Sequence, residues 1–181
     1  GYGDIMDKSI LAVNKDSLER VLVKNPMIKS AQVYCSLDGY IHVNIQQREP
    51  VLRVLTGEGY YVDRDGRVMP LSSKFTSRVV VATGDINKKF ACEKLGPFAM
   101  KLKNEPFWDA YIEQLVVRSN EDVVMIPKVG DFRIVLGKVD DCEARLEKLM
   151  LFLKDGITKK GWNRYKEINL KFDNQVVCVR K

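Results

Sequence analysis

A single histidine, His42, serves all 181 residues, and that scarcity removes most conventional acid–base catalysis at once. A serine or cysteine hydrolase would need His42 as its base, yet it falls in a predicted strand, on the less apolar face, and no GxSxG nucleophile elbow accompanies it. Four cysteines, Cys35, Cys92, Cys142 and Cys178, are widely spaced without a CxxC; zinc knuckles and redox dithiols therefore lack support, and the four read as free, mostly buried thiols. Glycine-rich phosphate loops are missing as well, because Gly57 with Gly59 and Gly130 with Gly137 form neither GxGxxG nor a Walker A pattern. Asp63, Asp65, Asp140 and Asp141 are explained by turns and a helix start rather than by a metal or hydrolytic site. No cofactor is called for. Apolar runs such as Leu149–Leu153 fall far short of the roughly 18 residues that suggest a membrane span, and no signal sequence opens the chain.

What is present is the composition of a folding chain, 45% hydrophobic and 30% charged, with a formal net charge of +6. The excess is concentrated: from Lys154 to Lys181 there are eight lysines and arginines against three acidic residues. Basic residues beside Trp162, Tyr165 and Phe172 raise a nucleic-acid-binding module as one alternative, although solvated surface and core aromatics explain the same residues. Phe107, Trp108 and Tyr111 read as core or interdomain packing.

Along the chain, Asn14 caps a predicted helix over 15–24 with Leu18, Val21 and Leu22 on its apolar stripe. Strands over 30–37 and 40–48 flank Asp38-Gly39, a hairpin signal, with Ile41, Val43, Ile45 and Gln47 on the face expected to pack. Glu49-Pro50 is expected to break the ladder and to mark a boundary between residues 1–49 and 50–181. Short strands follow over 51–55, 60–62, 67–69 and 79–82, then a helical region over 97–103 that could begin near Ala91, its continuity weakened by the Gly96-Pro97 pair. Strands over 112–118, 122–126 and 132–136 precede a helix over 141–153, with Asp140 and Glu143 as a capping box and Cys142, Leu146, Leu149 and Leu153 facing the core. A terminal hairpin over 167–172 and 175–180 turns at Asp173-Asn174. The sum is an α+β chain of small sheets and few helices, whose last strand is a potential exposed edge.

Several segments in this order resemble the extracytoplasmic region of the bacterial FtsQ/DivIB cell-division family. They are Asn25-Pro26-Met27-Ile28-Lys29-Ser30-Ala31-Gln32-Val33, Ile41 through Pro50, Tyr60-Tyr61-Val62-Asp63-Arg64-Asp65-Gly66, Ile134-Val135-Leu136-Gly137, and Tyr165 through Gln175; in style they resemble its Bacteroidetes branch. The resemblance implies a POTRA domain over 1–49 and an FtsQ-type beta domain over 50–181. It implies a non-enzymatic scaffold of the divisome, anchored in the inner membrane by one N-terminal helix, lying in the periplasm and enriched at the septum. It also implies partners, FtsB together with FtsL, that link early assembly to septal peptidoglycan synthesis. The segment corresponding to the strand that receives FtsB comprises Phe172, Asp173, Asn174, Gln175, Val176, Val177 and Cys178, with pairing expected along 175–178 and Lys171, Arg180 and Lys181 as an electrostatic rim. Asn169 stands where the family often has aspartate. Little chain precedes Lys15 for the first strand and helix of such a POTRA domain, so its N-terminal part is expected to be missing and an edge there to be artificial. A POTRA-containing secretion or outer-membrane assembly protein is the other binding-module alternative.

Overall fold

The computed structural model describes residues 14–72, 76–157 and 164–181, which divide into two units, Gly1–Glu49 and Pro50–Lys181. In the first, helix α1 (Lys15–Val23) starts where Asn14 Oδ1 accepts the Ser17 N–H at 3.0 Å, satisfying one of the donors that a helix N-terminus leaves orphaned. Strands β1 (Ile28–Cys35) and β2 (Ile41–Gln47) pair antiparallel, joined through Gly39 at φ 90°, a conformation that suits glycine. Ile28, Ala31 and Val33 of β1 are buried, and Glu19 on α1 accepts the Val33 N–H at 2.7 Å, so the helix covers β1 and satisfies a donor on the side facing away from β2. The face of β2 expected to pack is open instead: Val43 and Ile45 are 46% and 48% exposed. One nine-residue helix has a single apolar stripe, and β1 occupies it.

Among its described residues the second unit is one sheet of nine strands, not several small ones. It comprises β3 (Pro50–Val54), β4 (Tyr60–Asp63), β5 (Val68–Pro70), β6 (Val80–Gly84), β7 (Ile112–Arg118), β8 (Asp122–Pro127), β9 (Arg133–Gly137), β10 (Tyr165–Asn169) and β11 (Val177–Arg180). Their order across the sheet is β11-β10-β9-β8-β7-β6-β3-β4-β5. Hairpins supply the antiparallel pairs, and three parallel joins, β3 with β6, β6 with β7 and β9 with β10, fuse them into one layer. The β1–β2 ladder ends before Glu49-Pro50, as expected. Pro50 then opens β3 as its first residue, opposite Asp63, a position where the missing donor is tolerated. The β4–β5 turn is tied by the Asp63 carboxylate, which is 2% exposed and accepts the N–H groups of Asp65 at 3.0 Å and Arg67 at 2.7 Å.

Helices fill the crossovers. Between β6 and β7 a continuous helical run begins with α2 (Lys88–Phe90), passes through a π-helical segment (Ala91–Leu95) and continues as α3 (Gly96–Asn104), followed by α4 (Pro106–Tyr111). Gly96-Pro97 is expected to weaken the continuity of this helix. The π segment resolves the conflict, since the Gly96 N–H reaches back five residues to Ala91 O just before the proline that cannot donate. Helix α5 (Glu143–Leu151) and the π-helical turn after it (Phe152–Ile157) connect β9 to β10. Cys142, Leu146, Leu149 and Leu153 are all buried as expected, but the capping box does not form. Asp140 and Glu143 pair with Lys94 and Lys101 across the neighbouring helical run, and Cys142 stands at the N-cap without a side-chain cap. The core joins Leu95, Phe98, Leu102, Leu146 and Leu149 to Leu52, Leu115, Met125, Ile134, Ile168 and Leu170 of the sheet, each large side chain worth about 1.5–3 kcal/mol in removed apolar surface. Trp108 and Tyr111 belong to it, with Phe107 stacked on Tyr111 at its rim.

Gly84, at the end of β6, has φ 106°, and a Cβ there would lie 2.0 Å from Val117 O on β7. Gly84→Ala should destabilise the chain by about 3 kcal/mol or more, read as a lowered urea midpoint.

Candidate protein-binding edge

Strand β11 is the outermost strand of the large sheet, with β10 on one side and no strand on the other among the described residues. It pairs antiparallel with β10: Asn169 lies opposite Val177, Ile168 opposite Cys178 and Glu167 opposite Val179, and a bulge precedes the Tyr165 and Arg180 pair. The Lys181 N–H turns inward to Arg164 O at 3.1 Å. Because donors alternate sides along an antiparallel strand, the N–H groups of Cys178 and Arg180 turn to the open side. Side chains alternate too. Cys178 packs toward the core beside Ile168, and burial pushes its thiol above the ordinary range, so at neutral pH it behaves as a small apolar group. Val177 and Val179 lie on the other face and are exposed.

The residues predicted for this site divide accordingly. Val177 and Cys178 are in the strand. Gln175 and Val176 precede it, so the open row runs along 177–180 rather than 175–178. Phe172, Asp173 and Asn174 form the turn, with Asn174 at φ 57° and Phe172 47% exposed. Nearest-neighbour chemistry explains the shift, because the Asp173-Asn174 turn needs two further residues before the chain meets β10 again.

Three contacts hold the hairpin that carries this edge, and each joins residues too distant in sequence to be anticipated. Lys148 of α5 donates to the carbonyls of Leu170 at 3.3 Å and Phe172 at 2.5 Å. Arg133 of β9 pairs with Glu167 of β10 at 2.7 Å, and Lys181 pairs with Asp131 at 2.8 Å. The last pair, with the 3.0 Å pair of Lys171 and Asp122, changes the expected rim: two of its three cations already have carboxylates within the chain. Arg180 has no ion pair among the described residues. Of the aromatic residues considered for a nucleic-acid platform, Tyr165 packs against Phe152 at 5.9 Å and Trp162 lies outside the described residues.

A family model described as FtsQ/DivIB, C-terminal related, matches residues 49–179, and a POTRA-like domain model matches residues 3–46. The chain belongs to the FtsQ/DivIB family. No curated protein matches it significantly. As an FtsQ/DivIB member it is an α+β protein with a POTRA-like element before a mixed β-sheet domain, it is non-catalytic, and its role is that of a divisome scaffold outside the cytoplasm. No helix among the described residues is long and apolar enough to cross a membrane. The Asn169 departure from the FtsQ/DivIB pattern has a local explanation. Its Oδ1 accepts the Lys171 N–H at 3.0 Å, a turn-closing bond that asparagine and aspartate make equally well.

Asn169→Asp should therefore leave the unfolding midpoint nearly unchanged, whereas Asn169→Leu should cost about 1 kcal/mol. The Lys181 ammonium holds the Asp131 carboxyl below the ordinary carboxylate range. Its depressed folded pKa means that the tie contributes fully above the unfolded value of about 3.9 and is lost as pH falls through the folded one. Amide exchange at Lys181, corrected for intrinsic rate, should accelerate in that acidic window, and Asp131→Asn should show the faster exchange already at neutral pH.

Proposed function

We propose that this divisome scaffold receives an extended segment of FtsB along the open side of β11, with FtsL in the same complex, and so links early assembly to septal peptidoglycan synthesis. The supporting observation is that, among the described residues, no strand pairs with the outer side of β11, where the Cys178 and Arg180 donors turn outward. Strand addition of this kind derives affinity from main-chain hydrogen bonds and specificity from alternate side chains. Val177 and Val179 offer apolar contacts on one face, Phe172 extends them at the turn, and Arg180 supplies a cation free to meet an acidic partner residue. Gln175 and Val176 join the ladder only as the incoming strand lengthens it. In this reading the full-length protein is held in the inner membrane by one N-terminal helix, with the described units in the periplasm at the septum and residues 1–49 as part of a POTRA domain; the short motifs support a Bacteroidetes-like branch.

Proline is tolerated on an edge strand where its missing donor faces outward, so Arg180→Pro should fold while losing one hydrogen bond to the partner. Its affinity for the extracytoplasmic pieces of FtsB and FtsL, measured by titration calorimetry, should fall on the order of tenfold, beyond the loss caused by Arg180→Ala. A folded Arg180→Pro chain with the affinity of Arg180→Ala would remove the edge from the interface.

A further inference from the structure

The chain leaving β10 is held at three successive residues before it turns into β11. Leu170 is fully buried, and its N–H reaches Val135 O on β9 at 2.9 Å. The Lys171 N–H is held by Asn169 Oδ1 and its ammonium by Asp122. Phe172 is exposed, and its hold comes from a different element: the Lys148 ammonium on α5 donates to Phe172 O at 2.5 Å and to Leu170 O at 3.3 Å. From Asp173 to Val176 no hydrogen bond or ion pair reaches beyond the turn among the described residues. Phe172 O is therefore the last main-chain anchor before the edge strand begins at Val177.

Lys148 is an unusual surface lysine. Such side chains ordinarily keep the ammonium in water, whereas Lys148 is half-buried and directs its donors to two carbonyls two residues apart. It has no ion pair among the described residues. One carbonyl belongs to core-packed Leu170 and the other to the exposed turn, so one ammonium passes the position of a fixed residue on to a less constrained one. Helix α5 is itself seated in the core by Leu146 and Leu149. Arg145, three residues before Lys148, donates to Leu136 O at 2.8 Å and Asp140 O at 2.6 Å, so the same helix grips the end of β9 and the exit of β10.

A fixed edge and a loosely held one carry the same outward donors. The loose one must still be ordered when a partner arrives, and that ordering subtracts from binding. We propose that Lys148 is a positioning residue for partner binding at β11: by fixing the Phe172 carbonyl, it keeps Phe172 and the entry to β11 in the receiving arrangement before the partner arrives. The inference rests on strand addition at β11. Lys148 acts through the turn, so its effect falls on association, while dissociation of the completed complex changes little.

The test uses the 181-residue chain with Lys148→Met, which keeps the apolar stem without donors, and Lys148→Arg, which restores them. Amide exchange of each free chain is followed, then association and dissociation rates with the extracytoplasmic pieces of FtsB and FtsL, beside Arg180→Pro and Arg180→Ala. In Lys148→Met the Val177 and Val179 amides, which face β10, should exchange at least about fivefold faster, with β7 and β8 amides unchanged. Association should slow by a similar factor, and Lys148→Arg should recover both. Wild-type exchange at Val177 and Val179 in Lys148→Met would overturn the proposal without reference to any partner, as would acceleration spread equally over β7 and β8, or a failure of Lys148→Arg to recover either rate. Wild-type association of Lys148→Met, while Arg180→Pro still binds more weakly than Arg180→Ala, would overturn the role of Lys148 alone. Equal affinity of Arg180→Pro and Arg180→Ala would overturn strand addition itself, and the role of Lys148 with it.

Discussion

Every strand carries donors and acceptors on both sides, and a sheet that does not close must leave two rows of them open. In the large unit the two open rows are treated differently. At one end β5 has three residues and finishes at Pro70, a short edge with a proline of the kind that discourages further pairing. At the other, β11 has four residues, no proline, two exposed valines on one face and an arginine with no ion pair among the described residues. Much of the surrounding structure serves to keep that second row straight: the Lys148 contacts behind the turn, the Arg133 and Glu167 pair between β9 and β10, the Asn169 turn, and the tie from Lys181 to Asp131.

The same contacts change the meaning of the positive charge. An excess of basic residues near the C-terminus suggests a field that attracts any polyanion. Within the described residues, Lys171 and Lys181 are spent on Asp122 and Asp131, Lys148 on main-chain carbonyls, and what remains at the edge is chiefly Arg180. Arg180, with exposed Lys166 on the neighbouring strand and exposed Arg164 just before it, leaves a few cations beside a row of backbone donors, which suits a specific peptide contact better than a nucleic-acid backbone, whose recognition gains from many cations acting together.

Local chemistry was legible in the sequence and long-range pairing was not. Asn14 as a cap, the Gly39 turn, the apolar stripe of α5 and the extent of β7 all follow from residues within a few positions of one another. The failures share a different cause. Asp140 and Glu143 look like a capping box because nothing nearby shows that Lys94 and Lys101 will take them. Gly96-Pro97 looks like a break because the π segment that absorbs it depends on the packing of the whole helical run. The three parallel joins, invisible to hairpin signals, turn apparent small sheets into one layer. At the candidate site Phe172, Val177 and Cys178 were named through the family resemblance, the start of the strand turned on how many residues the Asp173-Asn174 turn consumes before pairing with β10, and the internal pairing of two rim lysines depends on carboxylates about 50 positions away.

The most direct measurement is hydrogen exchange of the intact chain with and without the extracytoplasmic pieces of FtsB and FtsL. Strand addition at β11 predicts that the Cys178 and Arg180 amides, turned to solvent in the free chain, become strongly protected on binding, alternating with residues already protected by β10. A complex in which those two amides exchange as fast as in the free chain, with new protection elsewhere, would contradict it.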